Sequence, residues 1–479
     1  MYIRSFTIKN VKCFEEVHLQ FPQDAKGGHA GWHVVLGENA TGKTTLLQAM
    51  AAALVGPGPV LRLFSPNKWV RTEQKLGQQK WGEIEAEIVR GRDDEASGPA
   101  RKTWSTRLAV VKDKQEVEIE GRFFSSATVD ILGTEAERNR LLKDPYSSSK
   151  AGWLTCGYGA ERRLVGGGQR TEDDRTQRVS SLFSGGRSFQ ACLDWLPELF
   201  KSYQSQDGFM SEADIKERLQ QKEAASAEAE RARREAITVA NLVNLLLPPE
   251  VQLAAMGSER YYFAVPGKLA VDLLDLSDGY RSFLAIALDL LRQIHLTFGG
   301  VADRIEPDKA QVNVDGVVLI DEADLHLHPS WQRLLGTRLT EVFPRIQFIV
   351  TSHSPFIAQA AVPDGLFVLR TATQREKGVS LVQPVQQVTG WTADQILMSP
   401  LFGLTDTRDT RTEELLTEHG QLRSRARFGT LTPDDRRRLV ELEDLLSHRL
   451  TSPGEELNRE ELEDGVRRAA EIIRKSRGA

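Results

Sequence analysis

A run of small, hydroxyl and cationic residues occurs early in the chain, Gly37-Glu38-Asn39-Ala40-Thr41-Gly42-Lys43-Thr44-Thr45. Its spacing matches G-x-x-x-x-G-K-[ST], in which the glycines let the backbone wrap a phosphate and the N–H groups of the loop favour negative charge. In this pattern the lysine reaches the β- and γ-phosphates and the next hydroxyl binds Mg²⁺, which predicts those roles for Lys43 and Thr44. The sequence therefore predicts a nucleotide site formed by Gly37, Asn39, Ala40, Thr41, Gly42, Lys43, Thr44 and Thr45.

The residues around this loop can position it. Residues 32–36 are largely apolar and predict a short buried strand, and residues 46–54 predict an alanine-rich helix. A phosphate loop needs this context, because the N-terminus of the following helix adds N–H groups and a favourable dipole. A glycine-rich turn capped by threonine is the alternative, and the flanking strand and helix disfavour it.

A second anion site is predicted at the start of a later helix. Leu276-Ser277-Asp278-Gly279-Tyr280-Arg281-Ser282 precedes an apolar helical stretch at residues 283–294. Ser277 and Gly279, together with the N-terminus of that helix, suit a γ-phosphate by the same physics as the first loop. Taken alone, the segment would be interpreted as a helix with a serine N-cap.

An acidic strand and a histidine follow in order. Residues 317–322 form an apolar, largely β-branched run that ends in Asp321 and Glu322, and His353 lies just past another buried strand at residues 347–351. Parallel strands covered on both faces have this composition, and ligands bind at their C-terminal ends. Asp321 is therefore expected to help hold Mg²⁺, and Glu322 to polarise the attacking water.

The order of these motifs resembles that of an ABC-type ATPase head of the SMC/RecF/OLD-like branch. The opening I-x-S-F-x-I-K-N-V-K-C-F at residues 3–14 and the segment D-x-H-L-H-P-x-W-Q at residues 324–332 are similar to the same branch. The resemblance implies an ATPase that uses ATP and Mg²⁺. It further implies that Ser277, Asp278 and Gly279 bind ATP, that Thr44 and Asp321 hold the metal, and that Glu322 and His353 are catalytic.

The implied fold is α/β, an ABC-type P-loop ATPase head with a parallel core sheet and a flanking antiparallel β subdomain. Alternating residues at 2–9, 17–21, 82–90, 104–111 and 116–119 predict that subdomain. We expect an N-terminal ATPase lobe at residues 1–144, a loop-rich and helical insertion at 145–250, a C-terminal lobe at 251–388 and a helical extension at 389–479.

Three segments allow more than one interpretation. Pro145–Thr171 is rich in Ser and Gly and predicts a loop-rich boundary, in which Gly157–Arg163 forms either a turn with a solvated basic helix start or a segment facing the nucleotide or another domain. Residues 179–247 are predicted to be helical, with a charged stretch at 211–235 too short for a long SMC arm. An apolar stripe in the last helices either packs on its own domain or docks a partner.

Composition excludes several classes of protein. The chain has 479 residues, 40% of them hydrophobic, which is enough for two to three folded domains. It has no long apolar run and no signal sequence, so we expect a cytoplasmic protein without a membrane segment.

Three widely spaced cysteines argue against a disulfide framework or a zinc cluster, and His326 and His328 lack a third ligand nearby. A net charge of −5 leaves binding to DNA or RNA open.

The segment Thr389–Leu397 and the following Leu401-Phe402-Gly403 resemble PtuA-type ATPase subunits of Septu and retron-associated anti-phage systems. This resemblance implies a homodimer, or a higher even oligomer, whose heads sandwich ATP and control a separate nuclease of the HNH type. The histidines show no HNH clustering and no toprim-like carboxylate pair follows, so a nuclease within this chain is not expected. The alternatives are a RecF-like DNA-repair ATPase without a nuclease, and a binding module with a dead ATP site, which the intact motifs disfavour.

Overall fold

The structure is a computed structural model that describes residues 1–24, 27–71, 80–92, 94, 103–113, 116–143, 146, 153–162, 175–184, 189, 191–195, 210–211, 227–256, 261–306, 308–371, 379–383, 387–404 and 406–450. The chain divides into two compact units, Met1–Ile396 and Leu397–Ala479. Among the helices of the described ranges, none is long and apolar enough to cross a membrane.

The first half of unit 1 consists mainly of strands. In chain order its elements are β1 (Tyr2–Val11), β2 (Phe14–Gln20), β3 (Gly31–Gly37), α1 (Lys43–Val55), α2 (Pro57–Val60), β4 (Trp81–Val89), β5 (Thr103–Val111), β6 (Val117–Ile119), β7 (Arg122–Phe124), β8 (Thr128–Ile131), α3 (Glu135–Lys143) and β9 (Leu154–Tyr158).

The second half of unit 1 alternates strands with longer helices. Its elements are α4 (Arg175–Ser180), β10 (Met210–Ser211), α5 (Ala227–Leu246), β11 (Gln252–Met256), β12 (Tyr261–Val265), β13 (Lys268–Asp272), α6 (Asp278–Phe298), β14 (Ile305–Glu306), β15 (Gln311–Val312), β16 (Gly316–Ile320), α7 (Pro329–Val342), β17 (Ile346–Ser352), α8 (Pro355–Ala358), β18 (Leu366–Thr371) and β19 (Val379–Val382), followed at the unit boundary by α9 (Ala393–Leu397).

A six-stranded sheet in the order β19-β18-β3-β17-β16-β9 forms the centre of unit 1. Its strands are parallel except for β19, which pairs antiparallel with β18. Every residue of β9, β16 and β17 is buried, as expected for strands covered on both faces. Because the strands run in the same direction, Tyr158, Ile320, Val350 and Val34 lie in one row, and the segments that follow them reach the same edge.

A second, antiparallel sheet in the order β2-β1-β4-β5-β8 flanks this centre. Its strand β4 alternates strictly between buried and half-buried residues, which is the period-two pattern of a sheet with one face on the core. The buried face shares a hydrophobic cluster with α1, whose Ala49, Ala51, Ala52 and Ala53 are fully buried and let the backbones approach closely. The predicted α/β class, the parallel core and the antiparallel subdomain are confirmed.

Two predictions about the middle of the chain are wrong. Leu154–Tyr158 lies inside the segment predicted to be loop-rich, yet it forms β9 and pairs with β16 over its whole length. This strand has few β-branched residues and glycines follow it, so local composition conceals it. Residues 179–247 are not helical throughout, because Met210–Ser211 forms β10 and pairs with β11. Tertiary pairing overrides the helical propensity there.

Unit 2 contains a helical hairpin of α10 (Thr410–Arg427) and α11 (Pro433–Leu450). The hairpin has a small hydrophobic core of its own, formed by Leu415, Leu422, Leu442 and Leu446. Within the first part of the predicted apolar stripe, Leu439, Leu442 and Leu446 therefore pack in their own unit, whereas Val440, Leu445 and Leu450 are exposed. The final part, residues 462–473, lies outside the described residues. The bounds of the four predicted domains and the partner-docking role remain predictions.

Candidate functional site

The phosphate loop joins β3 to α1 with the strand, loop and helix arrangement that its sequence requires. Gly42 immediately precedes the helix with φ +91°, a conformation that favours glycine, and a side chain there would collide with Cys13 and Phe14. Asn39 and Ala40 are exposed in the loop, whereas Thr41 and Thr45 are buried. The loop is therefore closed against the first hairpin while its tip remains accessible.

Lys43 lies back across the loop that precedes it. Its Nζ donates hydrogen bonds to the carbonyl oxygens of Gly37 at 2.7 Å and Glu38 at 2.8 Å, and only 7% of the residue is exposed. Burial lowers the pKa of Lys43, while the nearby carboxylates of Asp321 and Glu322 act in the opposite direction. The ammonium group is thus kept inside the loop by neutral carbonyls that a phosphate could replace as its partner.

Asp321 follows β16, and its two carboxylate oxygens connect that strand to α1 and to β17. Thr44 at the start of α1 donates its hydroxyl to Oδ2 at 2.7 Å, and Thr351 at the end of β17 donates its hydroxyl to Oδ1 at 2.6 Å. The Asp321 amide is bonded to the Tyr158 carbonyl at 2.8 Å. A hydroxyl in contact with a buried carboxylate supplies the oxygen ligands that Mg²⁺ prefers, so Thr44 and Asp321 fit the predicted metal site.

Glu322 follows Asp321 with φ +46°, which is uncommon for a residue with a long side chain. Its amide donates to the Thr351 hydroxyl at 2.8 Å, and the next amide, of Ala323, donates to the Thr351 carbonyl at 2.9 Å. Thr351 was not identified from the sequence as a site residue, although its place one strand over from Asp321 is where such a partner must lie. The half-buried Glu322 side chain is thereby placed next to the cluster of Thr44, Lys43 and Asp321.

Arg162 is a second site residue that sequence reasoning did not single out. Its guanidinium is buried and donates to the backbone carbonyl oxygens of Asp321 and of Glu322, the latter at 2.8 Å, while Nε donates to the Gly159 carbonyl at 3.0 Å. Burial lowers its pKa to about 10, so it remains a cation near neutral pH. Of the two interpretations of Gly157–Arg163, the structure therefore favours the segment facing the site over a solvated basic helix start.

His353 lies beyond the end of β17 with an exposed side chain. Its amide is 3.4 Å from the Asp324 carboxylate. The neighbouring Ser354 hydroxyl is 2.5 Å from the Gln332 side-chain oxygen, and the amide group of Gln332 donates to the Leu327 carbonyl at 2.8 Å. The loop that carries His353 is therefore bonded to the 324–332 segment.

The residues Ser277, Asp278 and Gly279 form a separate group at the start of α6. Ser277 is the N-cap, Asp278 pairs with Arg281, and buried Gly279 lies against the His326 carbonyl so closely that a side chain would collide with it. These residues therefore adjoin the 324–332 segment, whereas Lys43, Thr44, Asp321 and Glu322 form the other group. Within this second group, Ser277 and Asp278 are exposed.

The two histidines of the 324–332 segment have no metal-binding partner set. His328 accepts a hydrogen bond from the Ser330 amide at the start of α7, and His326 is exposed with φ +63°. Within the described ranges, no group of three or more His, Cys, Asp and Glu side chains could hold a metal ion. The Thr44–Asp321 pair is of a different kind, since Mg²⁺ is commonly bound through one or two carboxylates and substrate phosphates.

A family model described as "AAA domain" matches residues 5–245, which is half of the chain. The chain belongs to the AAA domain family. A second AAA-domain model matches residues 177–358, so the two matches together include the phosphate loop, the Ser277 segment, the acidic strand and His353.

Known proteins similar to this AAA-domain chain include two curated relatives. The "Septu protein PtuA" of Bacillus mycoides strain KBAB4 is 24% identical over 407 residues, covering 85% of this chain and 45% of that protein. The "Retron Ec83 probable ATPase" of Escherichia coli is 37% identical over 103 residues, covering 21% of this chain and 18% of that protein. The chain spans less than half the length of these relatives, and the predicted relationship to PtuA-type proteins is confirmed.

Among solved structures, an SMC head bound to the C-terminal winged-helix domain of ScpA is similar with a TM-score of 0.44 and 13% identity. The match covers 80% of this chain and 98% of that structure.

We predict that Lys43→Ala abolishes ATP binding, because it removes the cation that pairs with the β- and γ-phosphates and leaves the loop backbone in place. Equilibrium titration with a fluorescent ATP analogue measures this. Lys309→Ala, which removes an exposed lysine paired only locally with Glu306, is the control and should bind as the wild type does. Unchanged affinity in Lys43→Ala would show that the phosphate loop is not the nucleotide site.

Proposed function

We propose that this chain binds ATP at Gly37–Thr45 and hydrolyses it with Glu322 as the general base. The observation that carries this proposal is the contact of the Thr44 hydroxyl with the Asp321 carboxylate at 2.7 Å, directly before Glu322. It joins the phosphate loop to the acidic end of β16, as hydrolysis of a phosphate held by that loop requires.

The roles of the chain's own residues follow from their chemistry. Lys43 pairs with the β- and γ-phosphates, and the amides of Asn39 to Thr45 surround the phosphates with N–H groups. Glu322 orients and deprotonates the attacking water, and His353 contacts the γ-phosphate from its exposed position. Thr44 and Asp321 would hold Mg²⁺, which would neutralise charge on the β- and γ-phosphate oxygens.

We further propose that the working unit is a dimer, or a higher even oligomer, in which two heads sandwich ATP. Ser277 and Asp278 are exposed at the N-terminus of the long helix α6, so this anion-binding end is accessible to a second chain. Gly279 joins it to the 324–332 segment, which is bonded in turn to the loop of His353. Nucleotide at one head would thus be contacted by Ser277, Asp278 and Gly279 of the other.

The biological role that we propose is anti-phage defence, with a separate nuclease of the HNH type controlled by the ATPase. The support is the naming of the relatives as Septu and retron proteins. We place the assembly in the cytoplasm, where ATP is available, and expect DNA or RNA to be the target of the nuclease. Co-purification from the native operon tests the partner: an HNH protein supports this role, whereas a chain that purifies alone and binds DNA favours the RecF-like repair alternative.

We predict that Glu322→Gln binds ATP but hydrolyses it more slowly by on the order of 10² to 10⁴, because glutamine keeps the shape and loses the base. Phosphate release and ATP-analogue titration measure the two quantities, and light scattering should show the ATP-bound assembly accumulating. Glu341→Gln, an exposed position on α7, is the control and should keep wild-type turnover. Wild-type turnover in Glu322→Gln would move the base elsewhere, and loss of ATP binding would place Glu322 in the metal site.

We predict that mixing Lys43→Ala protein with Ser277→Arg protein restores hydrolysis that neither shows alone. Each mixed dimer would contain one site with an intact phosphate loop and an intact Ser277 segment. A mixture of Lys43→Ala with a chain carrying both changes is the control, because it cannot rebuild a site. Absence of recovery, although native mass spectrometry shows mixed dimers, would contradict the shared site.

A further inference from the structure

We propose that Arg162 is a positioning residue that fixes the backbone of Asp321 and Glu322 and so aims the Glu322 carboxylate. The proposal rests on the hydrolytic function proposed above. Arg162 follows β9, the strand next to β16, and its guanidinium therefore lies at the same sheet edge as the two acids.

The hydrogen bonds of Arg162 are directed at main chain. One guanidinium nitrogen donates to the carbonyl oxygens of two successive residues, Asp321 and Glu322, and Nε donates to Gly159. A buried guanidinium is costly unless its donors are hydrogen-bonded, and here Nη2 donates to the turn that carries the two acids while Nε donates to Gly159, directly after β9. The planar fork makes this a rigid connection between the ends of β9 and β16.

The turn at Glu322 needs such support. Its φ of +46° is an unfavourable backbone conformation for a glutamate unless surrounding contacts determine it. Thr351 holds the amide of Glu322 on one side, and Arg162 holds its carbonyl on the other. Because the N–H and the carbonyl of Glu322 are both hydrogen-bonded, the peptide units on either side of it are fixed, and the direction of its side chain follows from the backbone. Loss of Arg162 would free the carbonyl and let the residue return to negative φ.

Charge adds to this role. Asp321, Glu322 and Asp324 all interact favourably with the Arg162 cation, although its hydrogen bonds go to carbonyls. The cation thus offsets the mutual repulsion of three acids placed within four residues of chain. A neutral side chain of similar length, as in Arg162→Met, would remove both the anchor and the charge, whereas Arg162→Lys would keep the charge and lose the fork.

The first test is independent of hydrolysis. Amide hydrogen exchange at Glu322 and Ala323 should be faster by about tenfold or more in Arg162→Met without nucleotide, because two hydrogen bonds from a charged donor to this turn are lost. Arg162→Lys should be intermediate. Arg345→Met is the matched control, because Arg345 pairs at 2.7 Å with Asp315, just before the opposite end of the same strand β16. It should leave exchange at Glu322 unchanged.

The second test measures the catalytic consequence. Arg162→Met should lower kcat for ATP by on the order of 10 to 100-fold and leave KM within about threefold, the pattern of a misplaced base. In a Glu322→Gln background the same change should have little further effect, because its target is already gone. An equal loss in both backgrounds, or wild-type exchange and kcat in Arg162→Met, would overturn the proposal.

Two outcomes separate this proposal from the proposed function. If wild-type protein hydrolyses no ATP, the function fails, and the exchange measurement still decides whether Arg162 holds the turn. If wild type is active and the Arg162 variants match it, only the positioning role fails. Should Arg162→Met not fold, Arg162→Lys decides alone: reduced kcat with faster exchange supports the role, and wild-type values for both overturn it.

Discussion

The bonding of the Asp321 carboxylate is the interaction on which the rest of the site depends. One oxygen is bonded to Thr44 of the phosphate loop and the other to Thr351 of the neighbouring strand. A buried carboxylate is costly unless its lone pairs are used, so these two hydroxyls stabilise its charge and fix its position together. Because α1, β16 and β17 meet at this one side chain, movement of any of them would displace the Asp321 carboxylate.

The parallel sheet makes this meeting possible. The ends of β9, β16, β17 and β3 lie at one edge because the strands run in the same direction and pair in a continuous register. Each strand then contributes to the edge. Arg162 follows β9, Asp321 and Glu322 follow β16, Thr351 lies within the end of β17, and the phosphate loop follows β3. The fold supplies the position, and the residue types at the strand ends supply the chemistry.

Much of this was predictable from the sequence, because the phosphate loop and the apolar strand ending in two acids are strong local patterns. Arg162 was not identified, since its role requires β9 to pair with β16, and the five residues of that strand carry no strong β pattern. Thr351 was overlooked for a related reason: its hydroxyl matters only because β17 lies beside β16. The close approach of Gly279 to His326 likewise depends on contacts between distant segments. Local patterns thus predicted groups that act within one segment, and tertiary pairing created the others.

The same dependence explains why the two groups of site residues differ in character. Thr44 and Thr351 both donate hydrogen bonds to Asp321 within a single chain, so this half of the site is preformed. Ser277 and Asp278, by contrast, are exposed at the start of α6. In the dimer that we propose, a second copy would complete the site, and nucleotide binding would then be coupled to assembly.

We propose that Asp321, together with Thr44, forms the Mg²⁺ site that serves the phosphate loop. The most direct measurement is the affinity of a non-hydrolysable ATP analogue for wild type and Asp321→Asn, each with Mg²⁺ and with EDTA. Asparagine keeps the size and one of the two acceptor oxygens but loses the charge that attracts the ion. We expect Mg²⁺ to tighten binding to the wild type and to have little effect on Asp321→Asn. An equal gain from Mg²⁺ in both proteins would contradict it.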